Sequence, residues 1–326
     1  MPAADEDILD LVRRRCAVVA EGAALVRIDP DIVPAYAARL LAEGHGRAEA
    51  PADPWLATSG DGETRVALVL ALDTINFGSG YHPLIAKRPG CSGAVTMATA
   101  LRQHAERSGG ITADGLRRLT VADAHDIFGQ AFDDGPVDEL MGRFATALAD
   151  LGTLVADQYA GQFLDLVIDA NHSAARLVTL LDQLPYFRDV AAWHGIDVPI
   201  YKRAQLAAAD LHRAFAGEGQ GRFEDLDRLT AFADNLVPHV LRVDGLLRYD
   251  EDLAATIDAG ELLEPGSVAE TEIRACGVHA VELLVAAMAA AGDRTTPQAL
   301  DYVLWFRGGA PRYKAIRRHR ARSVFY

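Results

Sequence analysis

Cysteine is scarce in this chain. The 326 residues include three, Cys16, Cys91 and Cys276, far apart and without Cys-x-x-Cys or Cys/His ligand spacing. That argues against a disulfide framework and a zinc site. The expectation is free thiols, with no metal and no cofactor. Positive charge is also in deficit: 32 Lys and Arg stand against 46 Asp and Glu, for a formal charge of −14. Proteins that grip nucleic acid neutralise its phosphates with Lys and Arg, so a chain this acidic is not expected to act on duplex DNA. A small anionic ligand needs only a local basic pocket. No apolar run approaches membrane-spanning length, and the opening MPAADEDILD lacks a basic-then-apolar leader. These absences predict a cytoplasmic protein with no membrane partner. No internal repeat or low-complexity segment is present beyond a richness in alanine.

Half of the residues are hydrophobic, enough for a substantial core in a chain of this length. Their spacing is mostly helical. Two helices are expected between Asp7 and Glu43, then a connector from Gly44 to Gly62. The run from Val66 to Phe77 is too short and too uniformly apolar for periodicity to separate strand from helix, and its helical context favours helix. Further helices are expected at Gly93–His104, within Val137–Asp169, at Ser173–Leu184, Glu251–Ala259, Val268–Ala291 and Asp301–Phe306. Thr120 with Asp123 has the spacing of a capping box, and Thr112 or Asp114 offers a weaker N-cap. His125 reads as a cap or surface residue and His194 as structural. In the long Val268 helix, Glu270, Glu272 and Arg274 read as the polar face. The fold class predicted is mainly α, with residues 1–326 in one domain.

The stretch from Tyr201 to Arg242 carries the most chemistry. It opens on Tyr201, Lys202, Arg203 and Gln205 and continues into a small-residue helix with Ala204, Ala208, Leu211 and Phe215 as its buried stripe. Gly217, Gly219 and Gly221 break that helix. A second helix is expected to end at Ala233-Asp234, with Asp227, Thr230 and Asp234 on one face. A carboxylate at the end of an apolar helix suits glycosidic-bond chemistry, because an anion stabilises the positive charge that develops on a sugar ring. The bland alternative is a capping Asp234 and a solvated Lys202.

These pieces together resemble the queuosine salvage protein family. The resemblance is carried by VRRRCAVVAEGAALVRID near the start, LALDTINF at Leu70–Phe77, FRDVAAWHGIDVPIYKRAQLAAADL, FEDLDRLTAFADNLVPHVLR, GSVAETEIRACGVHAVELL and the terminal HRARSVFY. It covers nearly the whole chain. It implies a helical domain similar to helix-hairpin-helix DNA glycosylases, and a hydrolase that releases the 7-deazaguanine base queuine from queuosine 5'-phosphate, within tRNA-modification salvage. Asp234 takes the place of the catalytic carboxylate, with Lys202 beside it. Asp73, Asn76 and Phe77 would recognise the base, since a carboxylate or amide accepts from a guanine-like edge and a ring stacks on its face. His239 would contact the base from the opposite wall, and the 5'-phosphate would lie against Tyr201, Lys202 and Arg203. The family commonly reads NFCFW or NFSFW where this chain has Asn76-Phe77-Gly78-Ser79-Gly80-Tyr81. That departure keeps open a glycosylase for a different modified base, and an inert Asp234–Lys202 ion pair would instead mark a non-catalytic nucleotide-binding helical protein. The basic end, Pro311–Tyr326, closes on an apolar Ser323-Val-Phe-Tyr326 and is expected to pack back on the body.

Overall fold

The computed structural model describes residues 7–44, 60–132 and 134–326, so most of the expected connector lies outside the described residues. The protein is mainly helical, with two short antiparallel strand pairs. By contacts the chain divides into two units, and neither is contiguous in sequence. The first comprises, among described residues, 7–44, 189–202 and 227–322; the second comprises 60–132, 134–188, 203–226 and 323–326.

The first unit is built around the Val268–Ala290 helix, which starts where the Ser267 hydroxyl accepts the Glu270 amide. This helix is long and apolar enough by composition to cross a membrane, which the sequence reading had not anticipated. Here Ile273, Cys276, Ala280, Val281, Leu284 and Met288 form its share of a buried core with Tyr36, Leu40, Val240, Leu241 and Leu304. Its other face supplies a correction. Glu270, Glu272 and Arg274, expected to be solvated, are all buried. Glu272 accepts the backbone amides of Leu25 and Val26 and the Trp193 indole N–H at 2.7, 3.2 and 3.2 Å. The polar face points inward because backbone ends and a second charged group await it there. Gly277 admits the Val237–Val243 helix, since a Cβ at that position would lie 2.9 Å from Pro238 Cγ.

Strands Val26–Ile28 and Leu247–Tyr249 pair in this unit, as do Val190–Trp193 and Ile196–Pro199. The second pair is a hairpin absent from the sequence expectations. His194 and Gly195 both have positive φ, 45° and 84°, the backbone a tight two-residue hairpin turn demands. The structural role expected of His194 is therefore a turn. The end of the chain packs in as expected: Leu263 and Ala321 form a parallel bridge, and His319 and Ala321 are buried. Two of its arginines bond nearby carbonyls, Arg317 those of Asp258 and Ala259 and Arg320 that of Gly260. These are the orphan acceptors at the end of the Glu251–Ala259 helix.

The second unit contains helices Gly62–Thr74, Gly93–Ser108, Ala113–Arg117, Val121–Phe128, Pro136–Gln158, Phe163–Asp169 and Ala174–Leu181. The ambiguous run is a helix, buried from Val66 to Thr74. The Thr120–Asp123 capping box forms, and Thr112 caps the helix before it. His125 is buried, its Nδ1 2.9 Å from the Gln130 carbonyl and its Nε2 3.2 Å from Asp138, so it is neither cap nor surface residue. The Lys202–Ala214 helix begins at the last residue of a first-unit segment and continues in the second.

Candidate functional site

The segment before Asp234 is not the helix its spacing suggested. Leu226–Arg228 is one 3-10 turn, and Leu229, Thr230, Ala231, Phe232 and Ala233 are then all buried. A segment buried on every side has no solvated face, so the apparent i, i+3, i+7 alignment of Asp227, Thr230 and Asp234 does not arise. Asp234 instead leads into the Val237–Val243 helix. Its Oδ1 accepts the amides of Leu236 and Val237 at 2.6 and 3.4 Å. The bland capping account is thus literally present. It orients the carboxylate and leaves Oδ2 outside the capping interaction, on a residue that is half-buried.

Lys202 reaches the same unit from a tight corner. Tyr201 has a φ of 52°, which is costly for a bulky side chain and persists only where surroundings impose it. The surroundings are Asp189. Its carbonyl accepts the amides of Ile200 and Tyr201 at 2.9 and 3.4 Å, and its Oδ2 accepts that of Lys202 at 3.1 Å. Tyr201 and Lys202 are both buried, at 6% exposure.

The third member of the cluster is Asp301, on the Pro297–Arg307 helix, a residue absent from the candidates that motif and spacing supply. It is fully enclosed, and its Oδ1 accepts the Phe232 amide at 2.8 Å. Burial raises its pKa to about 8; the charge of Asp234 pushes the same way, and Lys202 partly opposes it. A carboxyl so placed keeps its proton at neutral pH and can donate it. Asp301 thus lies within the electrostatic reach of both Asp234 and Lys202, and Arg318 lies within that of Asp234. Aromatic surface is near at hand: Phe232 meets Tyr302 edge-on, ring centroids 6.0 Å apart. In the sequence, the signal for Asp301 was an acid interrupting an otherwise apolar helical run.

His239 is buried, and burial foremost lowers its pKa, so the ring is neutral. Its Nε2 is 2.9 Å from the Tyr313 carbonyl, which requires Nε2 to carry the hydrogen, while Nδ1 has no hydrogen-bond partner. Only Nδ1 is left for any ligand. His319 is enclosed as well, driven to a pKa of about 3 by burial and then by Arg274 and Arg318.

Of the residues singled out from sequence, Asp234, Lys202, Tyr201 and His239 fall in the first unit. Asp73, Asn76, Phe77 and Arg203 fall in the second. There Arg203 is the centre of a buried knot. Its Nη1 donates to the carbonyls of Asp73 and Thr74 at 3.1 and 2.5 Å, and its Nη2 to those of Tyr186 and, at 2.8 Å, Val324. The guanidinium lies 4.9 Å from the ring centroids of both Phe77 and Phe187. Phe77 also packs on Phe144 and Tyr186, at 5.0 and 5.7 Å. Asp73 and Phe77 are therefore interior, and Asn76 is half-buried. Past Phe77, Gly78 adopts a φ of 100° and donates its amide to the Tyr326 carbonyl at 2.9 Å. Tyr81, in the stretch where the family carries a different aromatic pattern, is fully buried.

The sequence model of the family described as queuosine salvage protein matches residues 56–326. A queuosine 5'-phosphate N-glycosylase/hydrolase of Sphaerobacter thermophilus is 34% identical over 318 residues, 94% of this chain and 95% of that protein. Proteins of the same name from Bos taurus and Dictyostelium discoideum are 35% and 33% identical, over 55% and 66% of this chain and 56% and 65% of their own lengths. With so much of its length matched, the chain belongs to the queuosine salvage protein family.

Proposed function

We propose that this protein hydrolyses the N-glycosidic bond of queuosine 5'-phosphate, releasing queuine and ribose 5-phosphate. The observation that carries the chemistry is the pairing of a half-buried Asp234 with a proton-bearing Asp301 in one cluster with Lys202. Two carboxyl groups, one of which keeps its proton, divide the labour of glycoside cleavage. Asp234 is the anion that faces the oxocarbenium-like ribose, as stabiliser or nucleophile. Asp301 supplies the hydrogen bond, or the proton, that the departing base needs. This matters because a 7-deazapurine has carbon at position 7 and cannot be protonated there. Water then adds to C1' and returns the proton balance. Lys202 and Arg318, the cations nearest the two acids in electrostatic effect, supply charge for the 5'-phosphate, with Tyr201 setting the corner that presents Lys202.

Arg203, committed to four carbonyls, supports the Asp73–Phe77 segment in place of touching phosphate. Base recognition by Asp73, Asn76 and Phe77 is a separate part of the proposal, with half-buried Asn76 as its accessible member. Kinship with helix-hairpin-helix glycosylases is likewise a proposal, supported by the Asp234 segment. The three cysteines are unpaired thiols, as a reducing compartment allows, and we place the reaction in the cytoplasm.

The decisive experiment is chromatographic release of free base from queuosine 5'-phosphate, run beside queuosine, GMP and AMP. Release of queuine from the 5'-phosphate alone is expected. Release from none of them by folded protein would overturn the substrate assignment and direct attention to a different modified base.

A further inference from the structure

Between Lys202 and Asp234 lies a pair of residues that touches the backbone of one and the neighbour of the other. Arg274 projects from the Val268–Ala290 helix and is 3% exposed, as is Asp189. Its Nη1 and Nη2 donate to Asp189 Oδ1 and Oδ2 at 2.8 and 2.6 Å, a two-pronged pairing. Its Nε donates to the carbonyl of Ala233 at 2.9 Å, one peptide from Asp234. Asp189 Oδ2 in turn accepts the Lys202 amide at 3.1 Å, and the Asp189 carbonyl holds Ile200 and, more loosely, Tyr201. One rigid planar fork thus ties the Asp234 peptide to the Lys202 peptide through a single carboxylate. Two residues earlier on the same helix, Glu272 holds Trp193 in the hairpin that connects Asp189 to Ile200.

We infer that Asp189 and Arg274 form a positioning bracket that sets Lys202 against Asp234 for the glycosidic step. The inference rests on the reading of Asp234 and Lys202 given above. Stability alone is a poor account of the pair, since a buried ion pair is often no more stabilising than apolar residues of similar volume. What this one supplies is direction. Only a guanidinium offers an Nε donor at a fixed angle to a two-pronged carboxylate contact; a lysine at the same place can satisfy one prong or the other. A catalytic group displaced by about 1 Å loses on the order of 100-fold in rate, so the bracket acts on turnover before it acts on binding.

The test compares Arg274→Lys, Asp189→Asn and the double variant with Asp234→Asn in steady-state release of base, with melting curves to count folded protein. The expected result is a fall in kcat per folded molecule of about 100-fold in each single variant, with KM within about threefold. The double variant should fall by about as much as either single one, because groups that act as one unit do not add. A merely structural pair would lower the melting temperature and leave kcat per folded molecule unchanged, and that outcome overturns the bracket while Asp234→Asn remains inactive. Multiplicative losses in the double variant would overturn it as well. Should Asp234→Asn keep most of its rate, the catalytic reading fails and the bracket with it. If Arg274→Lys does not fold, Asp189→Asn, which keeps shape and one acceptor, decides by the same kcat and KM split.

Discussion

Two buried arginines anchor the two units, and they are spent differently. Arg274 in the first unit meets the carboxylate of Asp189 and the carbonyl of Ala233. Arg203 in the second meets four carbonyls and two aromatic rings. The first arrangement pairs opposite charges in the same unit as Asp234, Asp301, Lys202 and Arg318. The second uses charge to gather chain ends: the close of the Gly62–Thr74 helix, the turn at Tyr186 and the terminal residues converge on one guanidinium. A buried arginine is therefore no pointer to a phosphate site by itself. What it bonds decides whether it serves chemistry or cohesion.

The contrast can be broken by substitution. Asp234→Asn should produce the largest effect, a loss of about 100-fold or more in kcat with little change in melting temperature, as for other charge-stabilising groups. A folded variant with most of its rate would remove catalysis from the first unit. Arg203→Met comes next and should act on the other axis, destabilising the protein by about 3–5 kcal/mol through carbonyls left without donors. Urea unfolding measures that, and a variant of normal stability with a raised KM would return Arg203 to substrate contact.

The pH dependence follows from Asp301. Its carboxyl titrates near 3.8 when unfolded and near 8 when folded. Between those values the unfolded chain has lost the proton that the folded chain keeps, so stability falls as pH rises through this window. Asp301→Asn, permanently neutral, should flatten that slope, visible as urea midpoints at pH 5 and pH 8. In the wild type kcat should fall above about pH 8 as the donor is lost, and the Asn variant should lack that limb. An identical limb in both proteins would assign it elsewhere. Asn76→Ala should give the smallest effect, a several-fold rise in KM with kcat held, as expected for one hydrogen bond to a bound ligand. A loss in kcat matching that of Asp234→Asn would erase the distinction between the two regions.

Local signals were legible where a residue acts on its own neighbours. Thr120 (with Asp123) and Thr112 start helices as their spacing predicts, because the partner of each cap is three residues away. Asp234 was legible for a related reason: it lies inside a motif, and its first bonds go to Leu236 and Val237. Its helix was not. Leu229–Ala233 is buried on all sides, and periodicity distinguishes faces only where one of them meets water.

From the chain itself came a net-acidic, mainly helical protein and its family, since composition, capping and motif are properties of neighbours in sequence. Tertiary structure decided what each polar residue faces. Glu272 and Arg274 look alike on a helical wheel with any solvated pair, yet one closes backbone amides near Leu25 and the other reaches Ala233 and Asp189. Asp301 is an ordinary acid in sequence, and its pKa is raised only once folding buries it and brings the charge of Asp234 to bear. Desolvation and Coulomb terms depend on distance in space, and residues 189, 202, 234, 274 and 301 are brought within reach of one another by folding alone.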